Sequence, residues 1–252
     1  MVQQLSSEQQ PSEKQLSDRQ PEKQPVIYPE SDGQPMADNT KQFRWIVTIK
    51  ENLERLFAAD AMVFVAGDLL WYPVEGNNAI CQAPDAMVAF GRPKGDRGSY
   101  QQWREEGIAP QVVFEILSPS NRLKEMSKKL KFYEQYGVEE YYIYDPDGID
   151  FAGWLRTGNA FEVIEDPSDW VSPRLGIRFV LQPDTLEIYR PDGDRFLTHV
   201  ELGQLWEQER QRAETAIAQL EQERLQRQQE QERYQALLNH LRQQGIEPPT
   251  LE

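Results

Sequence analysis

The sequence predicts an α/β fold, a mixed sheet flanked by helices and extended by one long C-terminal helix. Three observations carry this. Short apolar runs bounded by turn residues alternate with stretches of helical periodicity. The run Gln111–Leu117 is apolar nearly throughout, as in a central strand buried on both faces. Finally, neither Gly nor Pro occurs between Gln204 and Gln244, where Gln, Glu, Arg and Leu dominate.

The elements follow in order. Residues 1–40 hold seven acidic and three basic residues, five prolines and repeated Gln, which offers little to bury and predicts a disordered leader. Over 41–200 the pattern is that of a domain. Ile46, Ile49, Leu53 and Leu56 recur at helical spacing and predict an amphipathic helix. Met62–Ala66 and Leu69–Tyr72 flank Gly67-Asp68 and predict a hairpin. Asp85–Phe90 is a further strand, and a polar loop from Arg92 to Ala109 leads into the central run. Ser118-Pro119-Ser120-Asn121 then supplies a turn and a helix N-cap. Leu123, Met126, Leu130 and Tyr133 mark the buried stripe of that helix, which ends near Gly137. Strands are expected at Tyr141–Tyr144, Phe151–Leu155, Ala160–Ile164, Arg178–Leu181 and Leu186–Tyr189.

Residues 201–244 predict a helix of about 60 Å at about 1.5 Å per residue, with 245–252 a flexible tail. Its 4-3 series runs from Leu202 to Leu241. Eight of its twelve positions are apolar, and the polar ones cluster in the middle. That leaky seam predicts a homodimer or a partner helix. The alternative is a solvated single helix laced with Glu–Arg pairs.

Composition narrows the function classes. The single cysteine, Cys81, rules out a disulfide framework within the chain and a cysteine-rich zinc site. The two histidines, His199 and His240, are far apart, so histidine-rich metal cages are poorly supplied. No apolar run approaches the roughly 18 residues of a membrane span, and the N-terminus lacks a secretory apolar segment. The expectation is a soluble, cytoplasmic protein without a membrane partner. With 42 acidic and 27 basic residues the formal charge is −15, which argues against broad coating of nucleic acid. A local basic patch is still compatible with a nucleic-acid enzyme.

Two carboxylates stand out. Asp85 follows Pro84 at the start of a strand, and Glu115 lies inside the most hydrophobic strand of the chain. A buried carboxylate must be neutralised, paired or bound to a cation. If the strands are adjacent, the two could converge at one end of the sheet, with a backbone carbonyl nearby, as an oxygen site suited to Mg²⁺ or Mn²⁺. Such an ion activates water for attack on a phosphodiester. The segment Arg122–Lys131 carries Arg122, Lys124, Lys128, Lys129 and Lys131 against one acid, Glu125, and is the local patch for DNA. Lys129 lies three residues from Met126 and four from Tyr133, so it borders the buried stripe and can lean over the sheet end.

These residues resemble the PD-(D/E)XK nuclease superfamily and, more narrowly, the bacterial Uma-two group of restriction-endonuclease-like proteins, formerly a domain of unknown function. The resemblance covers roughly residues 41–200. It rests on Pro84-Asp85, on Glu115-Ile116-Leu117-Ser118-Pro119-Ser120-Asn121, on Lys129-Leu130-Lys131-Phe132-Tyr133, on Gly137-Val138-Glu139-Glu140-Tyr141-Tyr142 and on Asp145-Pro146. It implies a restriction-endonuclease-like fold with Asp85 and Glu115 as metal ligands and Lys129 as the catalytic lysine. The superfamily's usual lysine position, two after Glu115, is Leu117 here, and Lys129 on the following helix matches the Uma-two arrangement. Glu51 and Glu54 are candidates for an additional acid on the first helix. The function expected is metal-dependent endonuclease action on DNA. The alternative is a non-catalytic, nuclease-like binding or assembly module acting through its C-terminal helix.

Overall fold

A computed structural model describes residues 26–33 and 35–245. Residues 1–25 and 34 of the expected leader, and 246–252 of the expected tail, lie outside the described residues. Within the rest of the leader segment, Tyr28 and Pro29 pack on the body. Tyr28 sits edge-on against the Tyr72 ring and tilted against Trp103, and the Tyr72 hydroxyl donates to the Pro29 carbonyl at 2.8 Å.

The first helix, α1 (Thr40–Leu56), starts where the Asn39 side chain accepts from the Lys41 and Gln42 amides. Its Ile46, Ile49 and Leu53 are buried. A six-stranded sheet follows in the order β1 (Val63–Ala66), β3 (Ala86–Phe90), β5 (Val112–Ile116), β6 (Glu140–Asp145), β7 (Asp150–Thr157) and β8 (Ala160–Val163), with β2 (Trp71–Tyr72) standing outside it. All neighbours in that sheet are antiparallel except β5 and β6. A parallel pair needs a crossover, and α2 (Leu123–Tyr136) supplies it, ending at Gly137 with φ 99°. Only glycine adopts that left-handed angle without strain.

The two faces of the sheet carry separate cores. On one, α1 and a small sheet of β9 (Trp170–Val171), β10 (Arg178–Leu181) and β11 (Leu186–Tyr189) cover Val88, Val112, Phe114 and Tyr142. On the other, Tyr133 of α2 and the parallel pair of β2 with β4 (Tyr100–Gln101) cover Met87, Val113 and Tyr141. Every residue of β5 is buried, as expected of a central strand with both faces covered.

Two local expectations are corrected. No hairpin forms across Gly67-Asp68: β1 pairs with β3, and β2 pairs with β4 instead. Asp68 takes φ 48°, and its amide donates to the Pro84 carbonyl at 3.0 Å, which turns the chain out of the sheet plane. Secondly, α2 begins at Leu123, after an Arg122 cap that makes no side-chain bond. The Asn121 side chain instead accepts from the Ser118 amide at 2.7 Å and closes the preceding loop. Leu123 is exposed and so lies off the buried stripe.

The C-terminal helix, α3 (His199–Gln243), spans 45 residues and buries none of them. Thr198 and Glu201 form a capping box at its start. Among the described residues no helix is long and apolar enough to cross a membrane.

Candidate active site

The register of the central strands decides where the two carboxylates lie. β3 and β5 pair Ala86 with Phe114 and Met87 with Val113. One step further along the same register sets Asp85 across from Glu115, and directly opposed residues share a face. That face is the one α2 covers, because Glu115 alternates with Val113, which packs beside Tyr133. Asp85 and Glu115 are 8% and 2% exposed. Asp85 accepts from the Ile116 amide at 2.6 Å, which ties it to the end of β5.

From above, α2 lowers two side chains one turn apart onto Glu115. The Lys129 ammonium donates to Glu115 Oε2 at 2.7 Å, and the Tyr133 hydroxyl donates to Oε1. Residues at i and i+4 meet the same surface of a helix, so one carboxylate is gripped at both oxygens. Asp85, Glu115 and Lys129 are thus brought together. The four other basic residues of the patch, Arg122, Lys124, Lys128 and Lys131, are exposed. They flank the site rather than enter it.

A polar cleft of about 270 Å³ opens over this group, lined by Gln42, Asp68, Asp85, Ser120 and Lys129 among others. Glu115 is not part of its wall. Burial, reinforced by the charge of Glu115, pushes the Asp85 carboxyl well above its ordinary range. Burial works against the Lys129 ammonium, yet the charges of Glu115 and Asp85 outweigh it and raise its pKa. Lys129 is therefore held protonated. Asp68 is also pushed up, by burial and by the charges of Asp32 and Glu115, while Lys129 opposes the shift.

Several residues here were not singled out by the sequence. Asp68 read as a turn residue, and only the Gly67-Asp68 bend brings it to the cleft. Tyr133 read as core; its spacing of four from Lys129 is the signal that could have placed it against Glu115. Gln42 is buried at the start of α1 and donates to the Ile116 carbonyl at 2.8 Å. Asp38 accepts from the hydroxyls of Ser118 and Ser120, which hold its carboxyl below the ordinary value. Ser118 therefore ties the chain ahead of α1 to the loop after β5, and it does not cap α2. Glu51 and Glu54 are paired with Lys50 and Lys94, each at 3.0 Å, and neither lines the cleft.

A mixed sheet whose central strands present an opposed carboxylate pair to a lysine on the crossover helix defines an α/β protein with a charged, enzyme-like cleft. Residues 15–221 match the Uma2 family, described as "Putative restriction endonuclease". The chain belongs to that family. A solved structure described as a "putative nuclease belonging to DUF820 from Anabaena variabilis ATCC 29413" is similar at 18% identity, over 55% of this chain and 74% of that chain, with a TM-score of 0.41. No curated protein matches the chain.

Proposed function

We propose that the protein is a metal-dependent endonuclease that hydrolyses DNA phosphodiester bonds, with Mg²⁺ or Mn²⁺ held by Asp85 and Glu115 and with Lys129 stabilising the transition state. The observation that carries this reading is the 2.7 Å contact from Lys129 to Glu115 directly beside Asp85. It joins a carboxylate pair to a cation, with Asp85 and Lys129 lining an open cleft and Glu115 behind them.

The donor chemistry fits a divalent cation. Asp68, Asp85 and Glu115 face a single ammonium, so the group carries excess negative charge when ionised, and burial makes that charge expensive. Both oxygens of Glu115 already accept one hydrogen bond, but each carboxylate oxygen has a second lone pair. Mg²⁺ is commonly held by one or two carboxylates and takes its other ligands from water and phosphate, a demand that Asp85 and Glu115 can meet. When bound, such an ion supplies Lewis-acid polarisation of the phosphodiester and a water of lowered pKa.

The chain's own residues do the rest. Lys129, kept charged by its carboxylate neighbours, offers further N–H donors to a phosphoryl oxygen as negative charge develops there. Tyr133 fixes the rotamer of Glu115 and acts as a positioning residue. Arg122, Lys124, Lys128 and Lys131 present cations along the exposed side of α2 for flanking phosphates.

The test is supercoiled plasmid incubated with the protein in Mg²⁺ or Mn²⁺. Nicked or linear product is expected, abolished by EDTA and by the double change Asp85→Ala/Glu115→Ala. Lys129→Met should slow cleavage by about 10²–10³-fold. Cleavage that survives the double change would assign the activity to another site or a contaminant. If calorimetry finds no Mn²⁺ uptake by the folded wild type, with or without DNA, the reading loses its chemistry.

A further inference from the structure

The long helix α3 poses a separate question. Trp206, Leu220, Tyr234 and Leu237 lie on its seam and all are exposed. Glu207–Arg210 and Glu209–Arg212 pairs solvate the helix near its start, but such pairs do nothing for exposed aromatic and leucine side chains. A stripe of this kind on a helix of 45 residues calls for a second helix.

The order of residues along the seam specifies which helix. We propose that α3 pairs antiparallel with α3 of a second copy of this chain. Between residues 213 and 237 the seam runs from two small residues, Ala213 and Ala216, to two large ones, Tyr234 and Leu237. A parallel, in-register pair would set alanine on alanine and tyrosine on tyrosine, leaving voids at the Ala213 and Ala216 layers and crowding at Tyr234. It would also set Glu223, Arg227 and Glu230 each against its own copy, a column of like charges. Reversing one helix about a midpoint at residue 225 resolves both faults. Ala213 then meets the partner's Leu237, Ala216 meets the partner's Tyr234, and Arg227 meets the partner's Glu223. Because the pairing is two-fold symmetric, each of these layers occurs twice. The layers without complementarity are Leu220 beside the partner's Glu230 and Glu209 beside the partner's Leu241, and Trp206 falls beside the partner's Gln244 at the end of the coil. Within one chain Arg227 already lies 3.8 Å from Glu223, so the side chain only redistributes its contacts on pairing.

The arrangement has a geometric consequence. The globular bodies leave α3 at His199, so antiparallel pairing holds them at opposite ends of the coil. With about 1.5 Å per residue the two starts of α3 are roughly 80 Å apart. A parallel coil would bring the bodies side by side.

Sedimentation velocity on the full chain tests it. Wild type is expected to be a dimer. R227E and E223R should each raise the dimer Kd at least about tenfold, and the double change E223R/R227E should restore it. In a Cys81→Ala background, a short bis-maleimide should couple A216C protein to Y234C protein and should not couple A216C protein to itself. A monomeric wild type, a dimer indifferent to R227E, or A216C-to-A216C coupling would each overturn the proposal.

Discussion

Asp85 illustrates how a single residue can be held against its own preference. Its carboxyl is almost fully buried and faces Glu115 across the strand pair, and both conditions disfavour its charge. A neutral amide of the same shape removes that conflict and can still accept from the Ile116 amide. Metal-free Asp85→Asn is therefore expected to be more stable than wild type, by about 1 kcal/mol, the usual size of gain when a functional residue is relieved. Cleavage and Mn²⁺ uptake should be lost. Denaturant melts in EDTA check the first part; a less stable variant would mean that the Asp85 charge is structural. Tyr133 sits on the opposite side of the balance. Its hydroxyl satisfies one oxygen of a carboxylate that is 2% exposed, so Tyr133→Phe leaves that oxygen without its protein donor. A loss of about 1–3 kcal/mol is expected, against near-neutrality if water fills the gap.

At the scale of elements, Glu140 at the start of β6 shows the same physics away from the cleft. It is fully buried and accepts from the Tyr142 and Ser172 hydroxyls and the Arg174 amide. Burial outweighs these bonds and raises its pKa above the ordinary 4.5. The native state then takes up this proton at higher pH than the unfolded chain, so stability is gained as pH falls through the raised value and is complete below 4.5. Glu140→Gln has no such proton, and the stability difference between wild type and variant should shift against wild type as pH rises above 4.5. A pH-independent difference, measured by urea melts from pH 4 to 8, would show that the hydrogen bonds dominate instead.

The same scale shows what was legible in the sequence. Periodicity located α1, β5, α2 and the strand-rich middle, because each carries a pattern that one segment can display alone. It could not give the pairing of β1 with β3 rather than β2, which depends on the left-handed turn at Asp68 and on a main-chain bond to Pro84. Asp85 and Glu115 drew notice as charges in apolar runs. Their approach to Lys129 needed the register of β3 on β5 and the crossover of α2, both products of tertiary structure. Gln42, Asp38 and Asp68 carry no anomaly in their local sequence, so nothing in the chain alone pointed to them.

For the whole molecule the governing fact is charge. A chain of net charge −15 repels a polyanion on approach, and the cleft adds the Asp38 carboxylate, kept ionised by its serine partners, to that repulsion. Under the proposed function, DNA binding depends on the four exposed cations of the α2 patch and on a divalent ion held by Asp85 and Glu115. Each neutralised phosphate releases counterions and contributes about −0.9 to the slope of log affinity against log salt. The four patch cations therefore contribute about −3.6 to that slope for duplex DNA in the presence of Mg²⁺ or a non-catalytic substitute such as Ca²⁺. The slope should flatten by about one for each of Arg122, Lys124, Lys128 and Lys131 changed to alanine. Fluorescence anisotropy across a salt series reads it directly. A steeper slope, or one unmoved by these changes, would put the DNA on another surface and detach the basic patch from the proposed site. A shallow slope that vanishes without divalent ion would instead mean that binding is gated by the carboxylates, since only their neutralisation turns the cleft from a repulsive surface into one that accepts a phosphate.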